Sequence, residues 1–137
     1  VREILELKFA KTDQAKNFLY SEFATRRIRE VKSLAGTSRQ DLIQSTLEKY
    51  AGHLEKLNGN ENLTAQLNAL QEVFTKVGDP KAKRSIRLAI FRISEKFAAA
   101  RPAACDFLVK EASSSALSEV EKYVYQERAK KCLTTNP

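Results

Sequence analysis

The stretch Val31-Lys32-Ser33-Leu34-Ala35-Gly36-Thr37-Ser38-Arg39-Gln40-Asp41-Leu42-Ile43 sets one glycine and two hydroxyl residues between two apolar stripes. Upstream, Ala24, Ile28, Val31 and Ala35 recur at alternating steps of four and three. Downstream, Ile43, Leu47, Tyr50, Leu54 and Leu57 keep the same rhythm. That spacing puts each set on one side of an amphipathic helix. Gly36 stands where a left-handed C-cap ends the first helix, and Thr37-x-x-Gln40 has the form of a capping box opening the second. So short a connection makes the two helices antiparallel neighbours.

Working outward, Ile4, Leu5 and Phe9 predict a short lead helix before Thr12, an N-cap for a long helix over 13–35. The next helix spans about 39–58 and stops at Asn58-Gly59-Asn60, with Gly52 inside it at a cost of about 1 kcal/mol against alanine unless another backbone comes close. Leu63, Leu67, Leu70, Phe74 and Val77 form a fourth helical stripe closed by Gly78. Asp79-Pro80 then opens a fifth helix, with Ala82, Ile86, Ala89, Ile93, Phe97 and Ala100 on its main face. These two make a second hairpin. Arg101-Pro102 breaks the fifth helix. A short helix over 103–112 follows, Ser113-Ser114-Ser115 supplies a turn and caps, and a last helix runs from Ala116 to about Cys132. The expected fold is all-α, with antiparallel helical hairpins packed as a bundle over 1–101 and a C-terminal pair of helices over 102–137, in a single domain.

The fifth helix carries apolar residues on two sides. Leu88 and Phe91 fall opposite the main stripe, among Arg84, Arg87 and Arg92. A helix apolar on both sides is usually buried on both. The fifth helix is therefore expected to be central, with Leu88 and Phe91 covered by Phe107, Leu108, Leu117 or Val120. The competing expectation is an interaction surface formed by Arg84, Arg87, Leu88, Phe91 and Arg92.

Net charge is +7 over 137 residues, and the excess is concentrated in 79–101, with seven Lys and Arg against two Asp and Glu. Lys81, Lys83, Arg84, Arg87, Arg92 and Lys96 spread around the helix without interleaved stacking aromatics, so a solvated face is the favoured reading over nucleic acid. The arginines of Glu22–Glu30 are read as a solvated face too, with pairs Glu22 to Arg26 and Arg26 to Glu30, against a specific anion site. No run approaches the ~18 apolar residues of a membrane span. Two cysteines and one histidine, His53, fall short of a four-ligand zinc site. His53 has no nucleophile near it in sequence, and no glycine-rich phosphate cradle occurs. No catalytic residue, cofactor or metal is expected, and the chain is read as not an enzyme.

Glu3, the lead helix, Thr12-Asp13, Glu22-Phe23-Ala24, Arg26-Arg27-Ile28-Arg29-Glu30 and Leu47-Glu48-Lys49-Tyr50 together resemble the bacterial domain-of-unknown-function family numbered 5667, over roughly residues 1–100. One departure is Gln14, where family members often carry proline. The resemblance implies a helical domain lying just after a signal peptide or membrane anchor, and assigns no activity. Since the chain opens on Val1, such a segment is expected outside it. The expected location is extracytoplasmic: secreted, periplasmic, or anchored through a segment outside this chain. The expected role is a non-enzymatic helical domain serving protein interaction or cell-envelope structure. The alternative is a binder of nucleic acid or another anionic polymer through 79–101.

A bond between Cys105 and Cys132 stays open. An extracytoplasmic location favours it. Against it, a tight antiparallel pair turning near Ser114 sets Cys105 level with Tyr123 and leaves Cys132 about nine residues, or ~13 Å, beyond. The bond then needs the last helix to end early or the two helices to cross steeply.

Overall fold

Thr12 and Asp79 start two of the long helices as side-chain caps: Thr12 accepts from the Ala15 amide and Asp79 from the Lys81 amide, with Pro80 in the first turn. The computed structural model describes residues 2–113 and 118–135, with side chains up to Cys132. Among these residues the fold is all-α, with seven helices and no strand. They are α1 (Arg2–Phe9), α2 (Asp13–Ala35), α3 (Ile43–Lys56), α4 (Thr64–Lys76), α5 (Pro80–Lys96), α6 (Arg101–Ala112) and α7 (Glu119–Thr135). A single 3-10 turn, Gln40–Leu42, leads into α3.

The α2–α3 turn is short for reasons other than those expected. Gly36 has φ −88° and ψ 5°, so it is not a left-handed cap. Thr37 does not cap α3 either. Its hydroxyl donates to the Leu34 carbonyl at 2.8 Å and accepts from the Arg39 amide at 3.1 Å, closing the turn on the end of α2. Gln40 works across the molecule. Its Nε2 donates to the Ala35 carbonyl at 3.1 Å, while its Oε1 accepts from the amides of Gly78 (3.1 Å) and Asp79 (3.2 Å). One side chain thus joins the turn of the first hairpin to the turn between α4 and α5. The opposite end is tied as well. Lys96 donates through Nζ to the Leu54 and Glu55 carbonyls, at 3.0 and 2.8 Å, and satisfies the last turn of α3. A Cβ on Gly59 would lie 3.1 Å from the Lys96 carbonyl, so this glycine answers to a close approach. Gly52 does not, because nothing stands within 4 Å of where its Cβ would be.

The expected stripes are the core. Ala24, Ile28 and Val31 meet Leu47, Tyr50 and Leu54, then Leu67, Leu70, Ile86, Ile93 and Phe97, all buried. Tyr50 is fully buried and keeps its hydroxyl satisfied by donating to Gln66 Oε1 at 2.6 Å. Burial pushes its phenol well above the usual range. Helix α5 touches α3 and α4 on one flank, α6 and α7 on the other. It ends at Lys96, four residues before the expected Ala100, because Arg101 turns back: Nε donates to the Ser94 carbonyl at 2.7 Å and Nη2 to Glu95 at 3.3 Å. Those bonds cap α5 and let α6 begin at Arg101.

Cys105 and Cys132 are bonded, with Cα atoms 5.7 Å apart. The last helix does not end early, since α7 continues to Thr135. The register differs instead: Ala112 packs with Tyr125 and Ala129, and Cys105 meets Cys132, so the antiparallel pair is centred near Ser118 and not near Ser114. The expected caps at Ser114 and Ser115, the start at Ala116 and the cover by Leu117 lie outside the described residues.

Replacing Gln40 removes three hydrogen bonds, two of them from the Gly78 and Asp79 amides, which can then reach water. Gln40→Ala is expected to lower unfolding stability by about 1–2 kcal/mol with helical content unchanged. Urea denaturation followed by circular dichroism checks it.

Candidate functional site

Most of the cations of α5 have structural work. Lys83 donates to the Phe74 carbonyl at 3.2 Å and lies 4.2 Å above that ring. Arg84 faces Glu121 of α7 at 3.8 Å. Arg87 is 5% exposed, which corrects the reading of a solvated face. It donates to Glu111 of α6 at 2.8 Å, with its guanidinium over the rings of Phe74 and Tyr125. Lys96 and Arg101 cap helix ends, while Lys81 and Arg92 stand exposed. Arg84 and Arg87 therefore look toward the C-terminal helices.

Leu88, Phe91 and Arg92 are brought together elsewhere, on the side of α5 that faces α3. A hollow of about 260 Å³ lies between Leu47, Glu48 and Ala51 of α3 and Ser85, Leu88 and Arg92 of α5. It shares Leu88 and Arg92 with a second hollow of about 410 Å³, which adds Glu55, Phe91, Glu95 and Lys96. Phe91 and Glu95 also border a third of about 230 Å³, closed by Lys131 and Cys132 of α7. The three follow α5 from Ser85 to Glu95 as one groove with an apolar floor and a rim of both charges. Alanines at 51 and 89 leave the room in it.

The expected cover by the 102–132 segment is met for Phe91, through Arg128 and Lys131 of α7, while Leu88 faces α3. Phe107 stacks edge-on against Phe74 at 5.1 Å, Leu108 is buried in the main core, and Val120 is 74% exposed. Phe91 is half-buried instead under the cations of α7, with Arg128 5.3 Å and Lys131 5.8 Å from its ring centre. Leu88 is half-buried against α3. The α3 wall of this groove was missed in the sequence, where Glu48, Ala51 and Glu55 look like an ordinary outer face. Ala51 beside Gly52 was the available signal, two small residues in a helix otherwise lined with large ones.

The arginines of α2 have a different task from the one expected. Arg26 pairs with Glu3 (3.2 Å) and Glu6 (3.4 Å) of α1, and Arg27 with Glu3 (3.0 Å) and Glu30 (3.1 Å). The predicted pairs of Arg26 with Glu22 and Glu30 are replaced by ones that dock α1. Nearby, the His53 ring packs on Phe23 at 5.5 Å, and its Nε2 is buried with no protein partner. Desolvation lowers its pKa below the ordinary 6.5; Glu3 opposes the shift, Arg27 adds to it and Glu30 opposes it. Among the described residues no three His, Cys, Asp or Glu gather as metal ligands, both cysteines are in the disulfide, and no helix is long and apolar enough to cross a membrane.

Compared with known proteins, residues 1–84 match the family described as Domain of unknown function (DUF5667). No curated protein and no solved structure matches.

Two outcomes are expected from this geometry. Arg87→Ala strands a carboxylate beside a buried surface and lowers stability by about 3 kcal/mol, whereas Arg87→Met with Glu111→Leu recovers most of it; denaturation midpoints decide. Burial disfavours the charged form of His53 in the fold, so the unfolded chain takes up its proton more readily. Its stability contribution is complete above pH 6.5 and is lost as pH falls through the lowered folded value. His53→Gln should flatten the decline in denaturation midpoint measured from pH 7.5 to 5.

Proposed function

Because the chain belongs to the DUF5667 family, whose description carries no activity, we propose from the structure that it is a non-enzymatic extracytoplasmic domain that holds a protein or cell-envelope partner. The observation that carries this reading is the α3–α5 groove. Its floor of Leu88, Phe91, Ala51 and Ala89 and its rim of Glu48, Glu55, Arg92 and Lys96 suit an amphipathic segment laid along it. Its walls are helices fixed at both ends, so little ordering opposes binding. No histidine or thiol lines it, and His53 packs instead on Phe23. An extracytoplasmic place is supported by the Cys105–Cys132 disulfide, since reducing compartments keep most such pairs as thiols.

The alternative, an anionic polymer or nucleic acid held by 79–101, draws on the same helix. It is weakened because Lys83, Arg84, Arg87, Lys96 and Arg101 are engaged within the fold, which leaves Lys81 and Arg92 outside those contacts.

A photocrosslinker placed at Leu88 in the native cell envelope is expected to give a discrete adduct that Arg92→Glu abolishes. No adduct overturns the groove as the binding face. Duplex DNA titrated at low salt is expected to show no saturable binding. Binding that falls linearly with log[salt] over a steep slope supports the alternative.

A further inference from the structure

Helix α1 is docked with its charged face inward. Glu3 and Glu6 turn to Arg26 and Arg27 of α2, and α1 has no buried residue. Three of its four apolar side chains face water, Ile4, Leu5 and Phe9, the last 79% exposed, while Leu7 is partly buried. Phe18 of α2 joins them at 63% exposure, and Phe9 and Phe18 border the same open hollow with Ala15 and Leu19 between them. Scattered exposed apolar residues are ordinary. Here four large ones fall within the first 18 residues on two packed helices, which is a surface and not a scatter.

Charge selects the occupant. Lys8 and Lys11 are exposed around the apolar side chains; Arg2 is exposed too but pairs with Glu6 at 3.1 Å, and Glu3 and Glu6 also meet the arginines of α2. Of the remaining acids nearby, Asp13 sits in the first turn of α2, where the helix dipole offsets it, and Glu22 is half-buried. A second copy laid on this face would bring like cations together. Aromatics that project from a broad, open face, with cations beside them, fit the headgroup boundary of an anionic bilayer. We propose that the outer face of α1, together with Phe18, docks the protein on an anionic membrane surface. Leu5, Phe9 and Phe18 enter the acyl boundary while Lys8 and Lys11 meet lipid phosphates. The eight residues of α1 lie in the interface and do not span it.

The test is co-sedimentation of the whole chain with vesicles of phosphatidylcholine, with and without phosphatidylglycerol, at low and moderate salt. Binding is expected only with phosphatidylglycerol, weakened by salt, and lowered roughly tenfold for each aromatic removed in Phe9→Ser and Phe18→Ser. Both side chains are exposed, so an unchanged thermal melt keeps the variants comparable. Lys81→Gln should leave vesicle binding intact. The proposal is overturned by no pelleting at low salt, or by pelleting that the aromatic variants leave unchanged. It is equally overturned if those variants instead abolish a lipid-free dimer, making the face a self-contact, or a protein crosslink at Phe9 with no vesicle binding.

Discussion

Helix α5 cannot stand with either flank in water. One side carries Ala82, Ile86, Ala89 and Ile93, fully apolar and closed by α3 and α4. The other carries Arg87, Ile90 and Ser94, also buried, and is closed by α6 and α7. The rest of the architecture follows from covering this one helix twice. The buried arginine makes the requirement strict. A guanidinium taken out of water needs its carboxylate, and Glu111 is on α6. The family match ends at residue 84, in the early part of α5, yet the apolar faces of α3 and α4 close on Ile86 and Ile93 beyond it. The physical unit therefore extends past the matched segment.

Charge in this protein acts mainly at short range. Lys96 ends α3, Arg101 ends α5, Arg26 and Arg27 seat α1, and Arg84 and Arg87 hold the C-terminal pair. Each uses the long stem and directed donors of a basic side chain to satisfy groups that a helix end or a helix pair leaves open. A net charge of +7 consequently says less about a binding field than its size suggests.

The helices were legible in the sequence because burial repeats with the period of the helix. Positions 24, 28, 31 and 35, or 82, 86, 89 and 93, need no knowledge of what they face. What escaped depended on partners far along the chain. Gln40 looks like a capping residue, and nothing local says that its carbonyl oxygen serves Gly78 and Asp79. Arg26 has acids at the proper helical spacing, yet chooses Glu3 and Glu6. The α6–α7 register turned on the path between them, where a shift of about four residues separates a bonded cysteine pair from one too distant to bond. The groove was half-visible: its α5 wall stood out as Leu88, Phe91 and Arg92, while its α3 wall offered only a pair of small residues.

The disulfide has a topological consequence. Cys105 and Cys132, 27 positions apart, close a covalent ring that contains most of α6 and α7 together with the connection between them. A single peptide-bond cleavage inside that ring leaves one connected molecule, with α7 still carried by its sulfur link to α6. Chain continuity through that connection is thus redundant while the cystine is intact. Within the ring, a peptide bond and the sulfur bridge must both be lost before the last helix parts from α6.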